Sequence, residues 1–162
     1  MRVASPDVAV IGAGIVGVSA AAHLAVGGAQ VTLYERDTIA AAASGRNSGV
    51  VQRPFDPVLE GLYLETVELY RGLAAAGHDF GLTSEPAGLL YVGHDEAAIG
   101  ALAERLAVER PGLRPSFLAV GEVRALEPEV GPDVAACRLA IGYPVAPAAA
   151  TGAYAVWAQS LG

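Results

Sequence analysis

The spacing Gly12-Ala13-Gly14-Ile15-Val16-Gly17 limits what this chain can fold into more than any other feature. It follows directly on Asp7-Val8-Ala9-Val10-Ile11, a short run rich in β-branched residues that reads as a buried strand. A helical pattern then runs to about Val26, with Val18, Ala21, Ala22 and Leu24 available for packing, and Gly27-Gly28 stops it. Gln30-Val31-Thr32-Leu33-Tyr34-Glu35 reads as the next strand and ends on an acid. Strand, glycine turn, helix and strand make a βαβ unit in which each glycine has a task. Gly12 permits the tight turn out of the strand, Gly14 lets a pyrophosphate approach the backbone, and Gly17 lets the helix lie close to the sheet. The helix start offers free N–H groups and a positive dipole end to a diphosphate. Glu35, eighteen positions after Gly17, stands where a carboxylate can accept hydrogen bonds from two ribose hydroxyls. Ile11, Ile15 and Val16 flank the same turn and belong to the candidate site. The bland alternative is a glycine-rich turn that holds no ligand. An acid at position 35 would repel a 2′-phosphate, which leaves NAD or FAD. Arg36 either reaches toward the adenosine or is a solvated loop charge.

Composition closes off other classes. A length of 162 residues is enough for one domain and marginal for two. Apolar residues are 53% and charged ones 17%, which allows a packed core and argues against disorder. Alanine runs at 20–22, 40–43, 74–76 and 148–150 let elements approach closely while burying little area each. A net charge of −7, with the basic residues scattered, excludes nucleic acid as a partner. Cys137 is alone, so no internal disulfide or cysteine-rich metal site is possible, and no His/Asp/Glu cluster has metal spacing. Between Val8 and Tyr34 there is no Lys, Arg, Asp or Glu, a run long enough for a membrane span. Glycines at 12, 14, 17, 27 and 28 interrupt it, and His23 lies within it. Arg2 and the small residues near 20–22 imitate a secretion signal, but that reading gives the glycines no use. A cytoplasmic protein is expected.

After Glu35 an NAD domain would proceed to a helix and a third parallel strand. This chain runs instead through alanines into Ser44-Gly45-Arg46-Asn47-Ser48-Gly49. The segment is rich in hydroxyl, amide and backbone donors of the kind a diphosphate or a flavin edge would use. Capping of the next helix does not explain it, because Asp56 and Pro57 already do that. Together, DVAVIGAGIVGVSAAAHLAVGGAQVTLYER and ASGRNSGVV resemble the N-terminal part of the FAD-dependent D-amino-acid oxidase superfamily. Its members include glycine and sarcosine oxidases, D-amino-acid dehydrogenases, glycerol-3-phosphate dehydrogenases and L-2-hydroxyglutarate dehydrogenases. The resemblance implies that Gly12, Gly14 and Gly17 contact the pyrophosphate of FAD and Glu35 its ribose. It implies further that Ser44, Gly45, Arg46, Asn47, Ser48 and Gly49 line the path toward the flavin. NSGVV looks closest to the hydroxy-acid and glycerol-phosphate branches, although some relatives there have a histidine where this chain has Gln52.

The rest of the chain fits an α/β fold, a Rossmann-like FAD-binding βαβ unit with part of a second, mixed-sheet α+β substrate lobe. A helix from Pro57 to about Ala76 carries Leu59, Leu62, Tyr63, Thr66, Leu69, Tyr70 and Leu73 on one side. A strand is expected over 88–93, a helix capped by Asp95, a short helix over 121–127, a strand over 135–141, and a last helix after Pro147. Residues 1–80 are expected to bind FAD, 81–145 to form part of the substrate lobe, and 146–162 to return to the FAD-binding domain. Two parallel strands are legible where a mononucleotide-binding half has at least three, so the architecture reads as incomplete. The chain is therefore expected to be the N-terminal portion of a flavoenzyme, a truncated product or one completed by another chain or by a homo-oligomer, and inactive alone. The resemblance implies hydride transfer from a small amino or hydroxy acid to flavin N5. No catalytic residue can be named. His23 reads as structural, and His78 and His94 as solvated. Tyr63, Tyr70, Tyr91 and Trp157 read as core or lobe-interface residues. A non-catalytic subunit and an NAD-dependent dehydrogenase are the competing readings.

Overall fold

A computed structural model describes residues 5–162; Arg2, which the secretion-signal reading needs, lies outside the described residues. The chain opens with β1 (Val8–Ile11), α1 (Ile15–Val26), β2 (Val31–Tyr34) and the two-residue β3 (Val50–Val51). There follow α2 (Pro57–Ala75), β4 (Leu89–Gly93), α3 (Glu96–Glu109), β5 (Ser116–Leu118) and α4 (Val120–Leu126). The order closes with β6 (Ala135–Leu139), β7 (Tyr143–Pro144) and α5 (Pro147–Ser160). No helix among the described residues is long and apolar enough to cross a membrane. Contacts divide the chain into two compact units, one of residues up to Leu82 together with Pro144–Gly162, the other Thr83–Tyr143.

In the first unit β1 and β2 pair in parallel, Val8 opposite Val31 and Ile11 opposite Tyr34, with α1 as the crossover. Helix α5 packs on α1 through small side chains, Ala21 and Ala22 on one helix and Ala150, Ala153 and Ala155 on the other being buried. Alanine makes this close approach possible, and aromatic rings fill the space beyond it. Tyr70 stands 5.4 Å from Phe80 and 5.9 Å from Tyr154, while His23 meets the Trp157 ring edge-on at 5.3 Å. His23 itself is exposed, and this ring contact is what its side chain makes within the unit.

Two expectations are corrected in this unit. The first strand is half buried rather than buried: Ala9 and Ile11 are exposed, Ile11 at 88%. Among the described residues only β2 lies beside it in the sheet, and α1 covers one face. The expected apolar side of α2 is also shifted. Val67, Tyr70 and Leu73 are buried, whereas Leu59 and Leu62 are exposed, because only the C-terminal half of the helix joins the core with Phe80 and Tyr154. The start of α2 follows the sequence signal: the Asp56 carboxylate accepts from the Val58 and Leu59 N–H groups at 2.7 and 3.2 Å.

The second unit is a three-stranded antiparallel sheet in the order β4-β6-β5. Central β6 alternates strictly. Ala135, Cys137 and Leu139 face a core with Ile99, Ala103 and Leu113, and Ala136 faces Val123 and Val134. Asp95 caps α3 by accepting from the Ala98 N–H at 3.0 Å. Strand β5 was not expected from the sequence, and Tyr91, expected in the core or an interface, is 55% exposed. His94 is exposed, with Nδ1 3.2 Å from the Asp133 carbonyl oxygen.

Candidate cofactor site

The strand-to-helix turn of the first unit has the geometry its glycines were expected to allow. Gly12 has φ +101°, a conformation that side chains with a Cβ rarely adopt. A Cβ on Gly17 would overlap the Gly12 carbonyl oxygen, so the helix can approach the turn this closely only with glycine there. Gly14 is the N-cap residue of α1, and the first helical hydrogen bond runs from the Val18 N–H to its carbonyl at 3.0 Å. The N–H groups of Val16 and Gly17 lie ahead of that bond and point out of the helix start.

Two side chains from further along the chain reach into this turn. The Glu35 carboxylate accepts from the Ala13 N–H at 2.7 Å through Oε2 and from the Asp37 N–H at 3.0 Å through Oε1. The first of these bonds, with the second behind it, holds the Glu35 carboxyl below its ordinary value of 4.5, so it is ionised at neutral pH. The Ser44 hydroxyl accepts from the Ile15 N–H at 2.9 Å. A Cβ added to Gly14 would stand 2.9 Å from that same hydroxyl oxygen, so the gap between loop and serine is a cradle that a side chain would fill.

The segment holding Ser44 is organised by its own polar groups. Asn47 Nδ2 donates to the carbonyls of Ala43 and Ser44 at 3.1 and 3.2 Å, and its Oδ1 accepts from the Gly49 N–H at 2.9 Å. Asn47, expected to line the cofactor path, uses both of its amide N–H groups and one acceptor position of Oδ1 to shape this turn. Beneath it the Val145 N–H donates to the Gly49 carbonyl at 2.8 Å, and Thr151 of α5, a buried hydroxyl, stands 3.5 Å from the Ser44 carbonyl.

These elements enclose a cleft of about 250 Å³. Five of the expected residues line it: Gly14, Glu35, Arg36, Ser44 and Arg46. Asp37, Ala41 and Ala42 line it too; they were not expected, and their residue types carry no signal beyond their place in the loop. Gly12 and Gly17 shape the turn behind it. Gly45 lies in the 3-10 turn at 43–45, and Ser48 and Gly49 follow outside the lining. Ile11 and Val16 are 88% and 80% exposed. Arg36 and Arg46, with the helix start, supply positive charge, and Glu35 and Asp37 supply acceptors. That set fits a ligand carrying both phosphates and hydroxyls.

Comparison with known proteins decides which dinucleotide is meant. The sequence profile of the FAD dependent oxidoreductases, the DAO family, matches residues 7–162. The chain belongs to this family. The cofactor is accordingly FAD, and the NAD-dependent alternative falls away. The fold is similar to that of glycine oxidase from Bacillus cereus, with 27% identity and a TM-score of 0.77. That match covers 98% of this chain and 45% of the oxidase. Iminodiacetate oxidase from Chelativorans sp. BNC1 is similar at 28% identity and a TM-score of 0.74, covering 95% of this chain and 44% of that one. A curated relative is the tRNA 5-methylaminomethyl-2-thiouridine biosynthesis bifunctional protein MnmC of Shewanella pealeana. It is 35% identical over 99 residues, 55% of this chain and 15% of MnmC. The chain therefore spans under half the length of each of these proteins.

Proposed function

We propose that this chain forms the FAD-holding part of an oxidoreductase that oxidises a small amino acid or 2-hydroxy acid, and that it is inactive alone. The observation that carries the reading is the convergence of Gly14, Glu35 and Ser44 on one cleft at the start of α1. In this reading the Val16 and Gly17 N–H groups and the helix dipole hold the diphosphate. Glu35 has oxygen lone pairs beyond those used by Ala13 and Asp37, and these accept the ribose hydroxyls. Arg36 and Arg46 neutralise phosphate charge at the rim, and Ser44 to Gly49 carry the chain along the cofactor. Bound FAD supplies the hydride acceptor, at flavin N5. The names of the oxidases above support an amino-acid substrate. No residue of this chain is assigned as a catalytic base.

Titration of the purified chain with FAD, followed by flavin fluorescence and visible absorption, tests the reading. A yellow complex of one FAD per chain is expected, with no reduction on adding glycine or a 2-hydroxy acid. A folded, colourless chain that takes up no FAD would overturn it. The exposure of Ile11 and Val16, large apolar side chains beside the cleft, favours a second reading in which another chain covers them. Size-exclusion chromatography with co-purification separates the two, because a stable, well-folded monomer would sink the subunit reading.

A further inference from the structure

Ala40 is one of two non-glycine residues with positive φ among the described residues, at φ +62°, and it is 6% exposed. It lies between the two parts of the cofactor site. Its N–H donates to the Ala13 carbonyl at 3.0 Å, and its own carbonyl oxygen sits where a Cβ on Gly45 would be. Four residues later the Ser44 hydroxyl accepts from the Ile15 N–H. The stretch from Ala40 to Ser44 is thus fastened at both ends to Ala13–Ile15, and the left-handed step at Ala40 reverses the chain so that both fastenings form. An L-residue in that conformation is strained, and strain of this kind persists where the surroundings hold it in place.

We propose that Ala40 is a positioning residue for the FAD site, whose left-handed backbone sets Ser44 against the start of α1. The inference rests on the proposed assignment of that cleft to FAD. It acts through the backbone, so the test is a change in what the backbone tolerates. Ala40→Val places a β-branched side chain where φ is positive, which such residues strongly resist. Ala40→Gly removes the penalty and keeps the path.

FAD affinity of both variants is measured by flavin fluorescence, alongside amide hydrogen exchange of Ile15 without FAD. Ala40→Val is expected to raise the FAD Kd by about tenfold or more, because the competent arrangement is populated less often. Its Ile15 amide exchanges faster by a similar factor, while Ala136 and Cys137 in the second unit keep their protection. Ala40→Gly stays within about threefold of the parent in both measurements, since glycine adopts this φ freely. The proposal is overturned if Ala40→Val binds FAD and protects Ile15 like the parent, or if Ala40→Gly loses tenfold in either measurement. Should Ala40→Val not fold, the Ala40→Gly comparison decides. If the parent takes up no FAD, the cofactor assignment fails, and Ile15 exchange alone then judges the positioning role.

Discussion

Strand β1 reads Val-Ala-Val-Ile and β6 reads Ala-Ala-Cys-Arg-Leu, yet the less apolar strand is the better buried. In β6 every residue but Arg138 is buried, because strands flank it on both sides and two side-chain clusters cover its faces. In β1 alternate residues are exposed, with a single neighbour and one covered face. Burial in a strand is set by what lies beside and above it. The composition of the strand says what it could tolerate. The two strands also serve different ends. β6 is the middle of a core, whereas β1 delivers the chain to Gly12 and a turn that backbone contacts hold in shape.

Substitutions can sharpen or break that contrast. The largest effect is expected from Leu139→Ala in β6, at a fully buried position, with a loss of about 2–5 kcal/mol read from urea unfolding. A loss below about 1 kcal/mol would mean that this core is softer than its packing implies. Gly17→Ala follows, at about 1–3 kcal/mol, because the added methyl must displace the Gly12 carbonyl. The same variant should weaken FAD binding in a fluorescence titration, whereas Leu139→Ala should not alter the affinity of the folded chain. At Glu35 the expected effect is a pH dependence. Its folded pKa is lowered by the Ala13 and Asp37 N–H groups, so its contribution is complete above the ordinary value of 4.5 and is lost as pH falls through the lowered one. Comparing urea midpoints of the parent and Glu35→Gln across that acid range should show a smaller slope in the variant. Ile11→Ala should be smallest, about 0.5 kcal/mol or less in the isolated chain, since this side chain is 88% exposed. A larger loss would show that a partner copy covers β1 in solution.

Local chemistry was the readable part of the sequence. The glycine spacing, the capping carboxylates Asp56 and Asp95 and the Pro57 helix start each act within a few residues of themselves, and the acid ending β2 was legible from its place in the βαβ pattern although it bonds Ala13 from 22 residues away. At Ser44–Gly49 the donor-rich residue types pointed to a diphosphate or a flavin edge, and resemblance then favoured FAD. What stayed hidden depends on distant neighbours. β5 is three residues, two of them exposed, and exists as a strand only through its pairing with β6. Leu59 and Leu62 follow the helical period of α2 but find no core to enter. Alanine prefers ordinary helical or extended backbone, so the sequence carries no sign that Ala40 takes a left-handed turn.

The central place of Cys137 in β6 has a practical consequence. It is the chain's single cysteine, its thiol is fully buried, and burial pushes its pKa up. A thiol reagent can therefore reach it only when the second unit opens, and the rate of modification becomes a clock for that opening. Since the first unit has no thiol, the clock reads one half of the molecule while FAD is titrated against the cleft proposed for it in the other.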